Sequence, residues 1–349
     1  MVLTQKSFKK NKPPCSVFGE CGGCSYQDLP YEEELILKDN YLRELLQKKV
    51  SLADNLFEPI VSSPKDYHYR HRLDLKLVQT RTKEVFMGFS PFAKGRLIPV
   101  DSCPIAIKEV SDFLPTLKEQ AKAKLSDKYR QANLVIRTGD DHRVLWGGIG
   151  RRSLQLKEED YLWTTIAGKK IFYSLDTFFQ ANLSILPKLF ERLYQFDCWG
   201  SDVSFYDLYG GVGLFAIGLI EKVDQVFLIE ECGASLKLAR YNAQFHGFKN
   251  FQLVEGRVED KLGDVIKEDH HSVKVAFIDP PRAGLSDTAR ALLTGKKEFN
   301  HLFYLSCNPE ALGRDLNDFI SKGWKVEKII PFDFFPRTKH LETLVLLNN

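Results

Sequence analysis

Two residues near the end of the chain could together carry out covalent chemistry on a pyrimidine ring. Cys307 lies in Ser-Cys-Asn-Pro, where an apolar run gives way to a helical stretch, and a helix N-terminus there would lower the pKa of the thiol. A thiolate can add to carbon 6 of uracil and make carbon 5 nucleophilic. Glu342 could then remove the carbon-5 proton so that the thiol can leave. Taken singly, Cys307 could equally be a small core residue and Glu342 a solvated strand residue.

A second group of residues could bind a nucleotide-like cofactor. The stretch DLYGGVG (207–213) follows an apolar run, and its glycines would let the backbone approach a ligand, although the spacing G-x-G-x-x-G is absent. Glu230 lies roughly 20 residues further on, where an acid can accept both hydroxyls of a ribose or simply favour a helix N-terminus. Asp279 opens a stiff Asp-Pro-Pro loop. Arg282 follows it, where adenine-N6 methyltransferases have an aromatic residue, which counts against amino methylation.

Cysteines near the start of the chain form a candidate metal site. Cys15, Cys21 and Cys24 have the spacing C-x5-C-x2-C, and Cys103 could be a fourth ligand. The chain has 7 cysteines, and in a reducing compartment clustered cysteines indicate metal binding or catalysis rather than disulfides. Four thiolates can bind either a structural zinc ion or an iron–sulfur cluster, and spacing alone does not separate the two.

The elements that must position these residues fall into two parts. Before residue 172, short apolar runs separated by turns predict an antiparallel, loop-rich module with helices at 31–47 and 107–125. After it, strands and helices alternate, which predicts an open, mostly parallel sheet wound by helices. Ligands of such sheets lie at the carboxyl ends of the strands, where four of the motifs fall. We therefore expect a β-rich domain in 1–171 and an α/β domain in 172–349.

Composition sets broad limits on the kind of protein. The chain has 349 residues, enough for two domains, and its net charge of +3 permits a nucleic-acid partner without arguing for one. No run reaches the ~18 apolar residues that cross a bilayer, and the Lys-rich start lacks the apolar stretch of a secretory signal. We expect a cytoplasmic protein without a membrane partner.

Six segments taken together resemble the bacterial RNA uracil-C5 methyltransferase family. In chain order they are FFQAN (178–182), DLYGGVG (207–213), Glu230 with YNA (241–243), DPPRAG (279–284), SCNPEALGRDL (306–316) and FDFFPRTKHLET (332–343). They occur in the family's order across the C-terminal half, and together they are far more specific than any one of them. The resemblance implies a Rossmann-like S-adenosylmethionine-dependent methyltransferase domain with a mostly parallel seven-stranded sheet.

The resemblance also implies roles for individual residues. It makes Cys307 the nucleophile and Glu342 the general base. The residues that would contact S-adenosylmethionine are Gln180, Tyr209, Glu230 and Asp279. A [4Fe–4S] cluster, favoured over zinc on this ground, would be held by Cys15, Cys21, Cys24 and Cys103.

The sequence departs from the family pattern at two of the positions compared. Gly210 stands where the family usually has cysteine, and because that cysteine is not the nucleophile we expect no loss of activity. His71 stands where asparagine is common, and an exposed polar contact is the expectation there.

RNA is the expected partner, because a base must leave its stack before it can be methylated. Candidate RNA contacts are Lys9, Lys10, Lys12, Tyr69, Arg70, Arg72, Arg151 and Arg152, although solvated surface charge explains each of them equally well. The first cluster cysteine is residue 15, which leaves no room before it for the N-terminal β-barrel (TRAM domain) of some family members.

A cluster without that barrel resembles the smaller 23S rRNA enzymes, whereas the tRNA branch usually lacks the cluster. We therefore predict a monomeric 23S rRNA (uracil-C5)-methyltransferase. The alternatives are a tRNA (uracil-C5)-methyltransferase and a non-catalytic RNA-binding iron–sulfur protein.

Overall fold

A computed structural model of the chain describes residues 11–91, 95–124, 130–148, 156–295 and 298–349. The candidate RNA contacts at positions 9, 10, 151 and 152 lie outside these residues. The described residues form a five-stranded sheet, a separate two-stranded hairpin and a seven-stranded sheet.

The smaller sheet is antiparallel, as the short apolar runs predict. Its strands are β1 (Arg72–Gln79), β2 (Val85–Phe89), β3 (Ile98–Pro99), β4 (Gln131–Thr138) and β5 (Val144–Gly148), in the order β3-β2-β1-β4-β5. Along β1, Leu73, Leu75 and Leu77 are buried while the residues between them are exposed, so one face of the sheet forms a core. Helix α2 (Lys108–Lys124) covers this face through Val110 and Leu114.

A hairpin connects the two sheets. It consists of β6 (Leu162–Ile166) and β7 (Lys169–Tyr173), joined by Ala167 and Gly168, which both have positive φ. Its apolar side chains belong to the same core as those of the seven-stranded sheet. The expected domain boundary at residue 172 therefore falls inside β7.

The larger sheet is mostly parallel. Its strands are β8 (Gly200–Leu208), β9 (Val223–Glu230), β10 (Phe251–Glu255), β11 (Val273–Ile278), β12 (His301–Ser306), β13 (Lys325–Phe332) and β14 (Glu342–Asn348). Their order is β10-β9-β8-β11-β12-β14-β13, and β14 alone runs antiparallel to its neighbours. The prediction of a Rossmann-like α/β fold with a mostly parallel seven-stranded sheet is confirmed. The central strands are buried along nearly their whole length because helices cover both faces.

Helices complete the fold on both sides of the larger sheet. They are α3 (Leu186–Tyr194), α4 (Leu214–Leu219), α5 (Gly233–His246), α6 (Val258–Glu268), α7 (Asp287–Gly295) and α8 (Pro309–Ser321). The N-terminal helix α1 (Tyr31–Val50) packs on α8, and its Leu42 and Leu46 share a core with Leu312 and Leu316. In the described part of the chain, no helix is long and apolar enough to cross a membrane.

Candidate active site

The carboxyl ends of four parallel strands meet at one edge of the larger sheet. Leu208 pairs with Ile278 and Ile278 with Tyr304 in the parallel ladders, so the loops after β8, β11 and β12 leave from the same level. Glu230, the last residue of β9, lies at this edge too. The edge is where ligands of such sheets bind.

Cys307 and Glu342 face one another across the β12–β14 ladder. Ser306 pairs with Thr343 in this antiparallel register, so Cys307 and Glu342 occupy the next facing position. Cys307 is partly buried, whereas Glu342 is 5% exposed and its Oε2 atom has no hydrogen-bond partner among the described residues. A buried carboxylate oxygen without a partner is costly to a fold, which makes it a candidate functional group.

The electrostatics of the pair differ from the sequence-based prediction. Burial raises the pKa of Cys307 to about 12, and the charges of Glu342 and Asp279 raise it further than Arg282 lowers it. The prediction that the helix N-terminus lowers the pKa of this thiol is therefore wrong in the protein without bound ligand, because burial and two carboxylates outweigh the helix. Burial, and next the charge of Asp279, raise the pKa of Glu342 well above its ordinary value.

Arg282 is the cation nearest to this chemistry, and sequence reasoning treated it only as an argument against amino methylation. Its charge lowers the pKa of both Cys307 and Glu342, and its Nη2 lies 3.2 Å from His340 Nδ1. The side chain of Asn308 donates to the Arg282 carbonyl at 2.8 Å, so the α8 N-terminus fixes the loop. Its position directly after two prolines at a strand end was the signal that could have found it.

The glycine-rich turn after β8 is shaped by Glu230. One oxygen of this carboxylate accepts from Gly211 N at 2.9 Å, and the other accepts from Cys232 N at 2.7 Å, at the start of α5. Tyr209 adopts a positive φ of 64°, which turns the chain out of the sheet. A Cβ atom on Gly210 would lie 2.5 Å from Leu228 Cγ, so this turn has no room for the usual cysteine unless Leu228 moves.

Three carboxyl groups at the same edge of the sheet are desolvated. Burial raises the pKa of both Asp207 and Asp279 to about 7, and besides burial the charge of Asp279 raises the pKa of both Asp207 and Glu342. Asp207 Oδ2 accepts from Ala216 N at 2.9 Å, which gives it a structural role. A cluster of desolvated carboxyl groups fits a cationic ligand such as the sulfonium of S-adenosylmethionine.

Gln180 lies in a loop that a buried arginine holds in place. Gln180 is 4% exposed, while Phe178 beside it is 66% exposed. The guanidinium of Arg137 on β4 donates to the carbonyls of Ser174, Thr177 and Phe179 at 2.9 to 3.0 Å. An arginine inside the apolar run NLVIRT was the sequence signal for this residue, and it was missed.

The segment that leads into β14 is clamped by the N-terminal helix. Lys38 Nζ lies 2.7 Å from Asp333 Oδ1 and 2.7 Å from Glu34 Oε1, and all three side chains are at most 2% exposed. Glu34 also accepts from Arg337 N at 2.7 Å. Tyr31 donates to the second oxygen of Asp333 at 2.8 Å. Both oxygens of Asp333 are thus engaged in this buried network.

The four N-terminal cysteines converge without forming a closed metal site. Burial raises the pKa of Cys24 to about 12, and the charges of Cys103, Cys21 and Cys15 raise it further, so all four thiols lie within electrostatic reach. Within the described residues, no three His, Cys, Asp or Glu side chains are close enough to hold a metal ion. The segment after Cys24 is also bonded to the segment that leads into β14, because Ser25 N donates to the Arg337 carbonyl at 2.7 Å.

Two expectations for the motif Tyr-Arg-His-Arg are wrong. Tyr69 is fully buried and donates to the Pro336 carbonyl at 2.9 Å, so it cannot stack on a base. His71 is not an exposed polar residue: burial lowers its pKa to about 4 and its Nδ1 lacks a partner among the described residues. Arg72 pairs with Asp74 at 2.8 Å, while Lys12 is exposed.

Comparison with known proteins places this geometry in context. Residues 147–349, more than half of the chain, match the tRNA (uracil-5-)-methyltransferase family. The chain is 28% identical over 370 residues to the 23S rRNA (uracil(1939)-C(5))-methyltransferase RlmD of Aliivibrio fischeri strain MJ11, covering 99% of this chain and 84% of the relative. It is 30% identical over 404 residues to an uncharacterized RNA methyltransferase, TTE1797, of Caldanaerobacter subterraneus subsp. tengcongensis, covering 99% and 86%.

The fold also has a counterpart among solved structures. The Pyrococcus abyssi tRNA (uracil-54, C5)-methyltransferase in complex with S-adenosyl-L-homocysteine superposes with a TM-score of 0.73 at 21% sequence identity. The superposition covers 93% of this chain and 85% of that chain, and at this identity it bears on the fold alone.

Proposed function

The chain belongs to the tRNA (uracil-5-)-methyltransferase family, and from this membership we propose that it methylates carbon 5 of a uridine in 23S rRNA. It is an S-adenosylmethionine-dependent RNA methyltransferase. The choice of 23S rRNA is supported by the similarity to RlmD along 99% of the chain. The name of the family supports tRNA as the second candidate substrate.

We propose Cys307 as the nucleophile and Glu342 as the general base. The observation that carries this proposal is their facing position across β12 and β14, with an unpartnered buried oxygen on Glu342. In this mechanism Cys307 Sγ bonds to carbon 6, and the electron pair that is displaced makes carbon 5 nucleophilic. Carbon 5 then takes the electrophilic methyl group that S-adenosylmethionine supplies. After this transfer Glu342 accepts the proton from carbon 5, the ring double bond reforms and the Cys307–carbon 6 bond breaks.

The raised pKa values of Cys307 and Glu342 determine which protonation state each group must reach before it can act. Cys307 is protonated before the substrates bind, so its proton must pass to solvent and a neighbouring positive charge must stabilise the thiolate that remains. Arg282 supplies one such charge. Burial raises the pKa of Glu342, so this carboxyl group must be ionised when carbon 5 gives up its proton, and it then holds that proton firmly in the desolvated site.

We propose that Gln180, Tyr209, Glu230 and Asp279 bind the methyl donor. The support is their position, since Gln180, Tyr209 and Asp279 lie on the loops after β7, β8 and β11, and Glu230 is the last residue of β9. The three desolvated carboxyl groups at this edge, those of Asp207, Asp279 and Glu342, suit a cationic ligand. Asp279→Asn should weaken binding of S-adenosylmethionine in calorimetry without the unfolding that a core substitution causes.

The test of the proposed reaction measures 5-methyluridine by mass spectrometry in two transcripts, 23S rRNA and tRNA. The wild type should form it in 23S rRNA, and Cys307→Ala should form none. Cys198→Ala is the matched control, because Cys198 is buried in the core just before the amino end of β8, at the edge of the sheet opposite to the candidate site, and it should retain activity. Product on tRNA alone would select the second candidate. Absence of product on both would favour the non-catalytic alternative.

We propose, second, that Cys15, Cys21, Cys24 and Cys103 bind a [4Fe–4S] cluster within an N-terminal part, residues 1–171, that also grips RNA. The convergence of the four thiols and the resemblance to the cluster-containing branch support this proposal. The catalytic part would then be residues 172–349. Anaerobically purified protein should contain iron and sulfide and show the visible absorption of such a cluster. Cys24→Ser should lose both, and zinc in place of iron would contradict the proposal.

A further inference from the structure

The exposed side of α5 carries cations and aromatic rings but no carboxylate. Lys237, Arg240 and Phe245 are exposed, and Tyr241 lies between them at half burial. Arg240, Tyr241 and Phe245 follow Lys237 by three, four and eight residues, which places all four in one stripe along the helix. The helix sequence GASLKLARYNAQFH contains no Asp or Glu. A solvated surface helix ordinarily mixes both signs of charge, so this composition is a feature to be explained.

The neighbouring hairpin extends this surface. Lys170 on β7 is exposed, and its Nζ lies 3.8 Å from the ring centroid of Trp163 on β6. His246 Nε2 lies 2.7 Å from the Lys170 carbonyl, which ties the end of α5 to the hairpin. We call the whole surface the α5 patch, consisting of Trp163, Lys170, Lys237, Arg240, Tyr241 and Phe245.

The aromatic rings of the α5 patch are held in fixed orientations. The buried ring of Phe172 meets Tyr241 at 5.1 Å and 87°, and meets Phe245 at 4.9 Å and 66°. Phe245 nevertheless remains 53% exposed. A ring fixed by its neighbours and open to solvent on the other side loses little entropy when a base stacks on it.

The α5 patch is connected to the candidate active site. Asn242, next to Tyr241, donates to the carbonyls of Phe172 and Val212 at 3.0 Å, and Val212 belongs to the glycine-rich turn. The chain then leads from Phe172 to the exposed Phe178 in six residues, which span at most ~20 Å. The patch is therefore close along the chain to Gln180, which we propose to bind the methyl donor, and RNA whose target base lies beside the donor can reach the patch with its flanking nucleotides.

We propose that the α5 patch binds a single-stranded segment of the RNA substrate that flanks the target uridine, its rings stacking on bases and its cations pairing with phosphates. This inference rests on the proposed function. Charge complementarity favours RNA as the ligand. Three cations (Lys170, Lys237 and Arg240) lie beside rings on which bases can stack, and α5 carries no acid that would repel phosphates. A duplex hides the faces of its bases, so it fits the rings less well. An acidic residue, Glu158, borders the patch: burial and next the charge of Glu158 raise the pKa of Tyr241.

The electrostatic part of this inference is tested with the double variant Lys237→Gln/Arg240→Gln. The matched control is Lys322→Gln/Lys325→Gln, two exposed lysines at the opposite edge of the sheet. Binding is measured by fluorescence anisotropy with a labelled 20-nucleotide single-stranded RNA at several salt concentrations. Loss of two phosphate contacts should reduce the slope of log K against log salt by about 1.4, since each contact on a single strand contributes ~0.7. The control should keep the wild-type slope, and a patch variant that does the same overturns the proposal.

The stacking part is tested with Phe245→Ala and, as control, Ile320→Ala, an exposed apolar residue on α8. Loss of one stacked base should weaken binding of the same RNA about 5- to 150-fold, whereas the control should bind normally. A 20-base-pair duplex RNA should be affected much less. Equal losses on the single strand and the duplex, or a loss equal to that of the control, would count against the proposal.

Methylation kinetics separate this inference from the function on which it rests. The variant Lys237→Gln/Arg240→Gln should raise KM for RNA and leave kcat unchanged, because the chemistry at Cys307 is untouched. Normal KM with normal kcat would overturn the patch and leave the methyltransferase in place. If the wild type formed no 5-methyluridine, the proposed function would fail, while the anisotropy measurements would still decide whether the patch binds RNA.

Discussion

Replacing Lys38 by methionine tests whether a buried ion network holds the segment that leads to Glu342. The ammonium lies 2.7 Å from both Glu34 Oε1 and Asp333 Oδ1, and it donates to the Phe335 carbonyl at 3.1 Å. Methionine fills a similar volume but removes the charge and the donors. Two carboxyl groups, both with 0% exposed side chains, then remain buried without this ammonium, and among the described residues the one positive charge left beside them is that of Arg337, whose Nη1 lies 3.7 Å from Glu34 Oε2.

The structure sets the size and the pH dependence of the effect. Removal of one partner from a buried ion pair costs about 3–5 kcal/mol, a large share of the ~5–15 kcal/mol that stabilises an ordinary domain. Burial already raises the pKa of Glu34 to about 7 from an ordinary 4.5, against the lowering effect of Lys38. Without Lys38 the folded-state pKa rises further above the unfolded value. The variant can therefore protonate Glu34 cheaply at pH 5 but not at pH 8, so its deficit grows as pH rises.

Urea unfolding at pH 5 and pH 8 measures this deficit, and Lys49→Met is the matched control on the same helix. Lys49 pairs with Glu310 at 2.6 Å, but its side chain is 37% exposed and that of Glu310 is 57% exposed. The control should therefore cost less than about 1 kcal/mol. We expect Lys38→Met to cost about 3 kcal/mol or more at pH 8 and to lower kcat as Glu342 loses its support. A cost no greater than that of the control, or one that is larger at pH 5, would refute the reasoning.

Three further outcomes are expected. The free energy of unfolding of the wild type should fall by up to ~3 kcal/mol as pH falls from 6.5 to 4, because the folded-state pKa of His71, about 4, lies below its ordinary value of 6.5. Urea unfolding measures this change, and the variant His71→Asn should lack it. In the protein without RNA at pH 8, Cys307 should react with iodoacetamide more slowly than the exposed Cys232, since burial raises its pKa to about 12; equal rates by peptide mass spectrometry would contradict this. Gly210→Cys should lower thermal stability because of the 2.5 Å approach to Leu228 Cγ, and adding Leu228→Val should restore part of it; a single variant as stable as the wild type would show that the turn has room.

Most of the fold could be predicted from local sequence patterns. The alternation along β1 and the repeated strand–helix units after residue 172 each reflect a short-range periodicity that burial imposes on the chain. Even the facing position of Cys307 and Glu342 was accessible, because the last strand of this sheet type lies beside the fifth parallel strand. The helix expected at 31–47 extends to Val50, and the helix expected at 107–125 covers Lys108–Lys124.

What could not be predicted depends on contacts between residues far apart in the chain. Lys38 looks like a surface residue of α1 until Asp333, 295 positions away, is brought against it. Tyr69 in a basic motif resembles an RNA-stacking residue, yet its hydroxyl binds the Pro336 carbonyl. The pKa of Cys307 was predicted in the wrong direction because the helix N-terminus is local, whereas burial and the charges of Glu342 and Asp279 are tertiary effects.

The α5 patch illustrates a different limit of sequence reasoning. Lys237 and Arg240 form no motif, and a helical spacing of charges ordinarily indicates a solvated face. Only the ring contacts of Phe172 with Tyr241 and Phe245 show that this face is organised. Function-bearing surfaces of this kind become visible when side chains from several elements are seen together.

The central claim is a transient bond between the sulfur of Cys307 and carbon 6 of the target uridine. RNA that carries 5-fluorouridine at the methylated position should arrest the reaction after that bond has formed, since fluorine cannot leave as a proton does. After incubation with S-adenosylmethionine and digestion, mass spectrometry should find the methylated fluorouridine attached to the peptide that contains Cys307, and Glu342→Gln should accumulate the corresponding adduct with ordinary uridine. An enzyme that forms 5-methyluridine in ordinary RNA but attaches fluorouridine to another residue, or to none, would contradict the account.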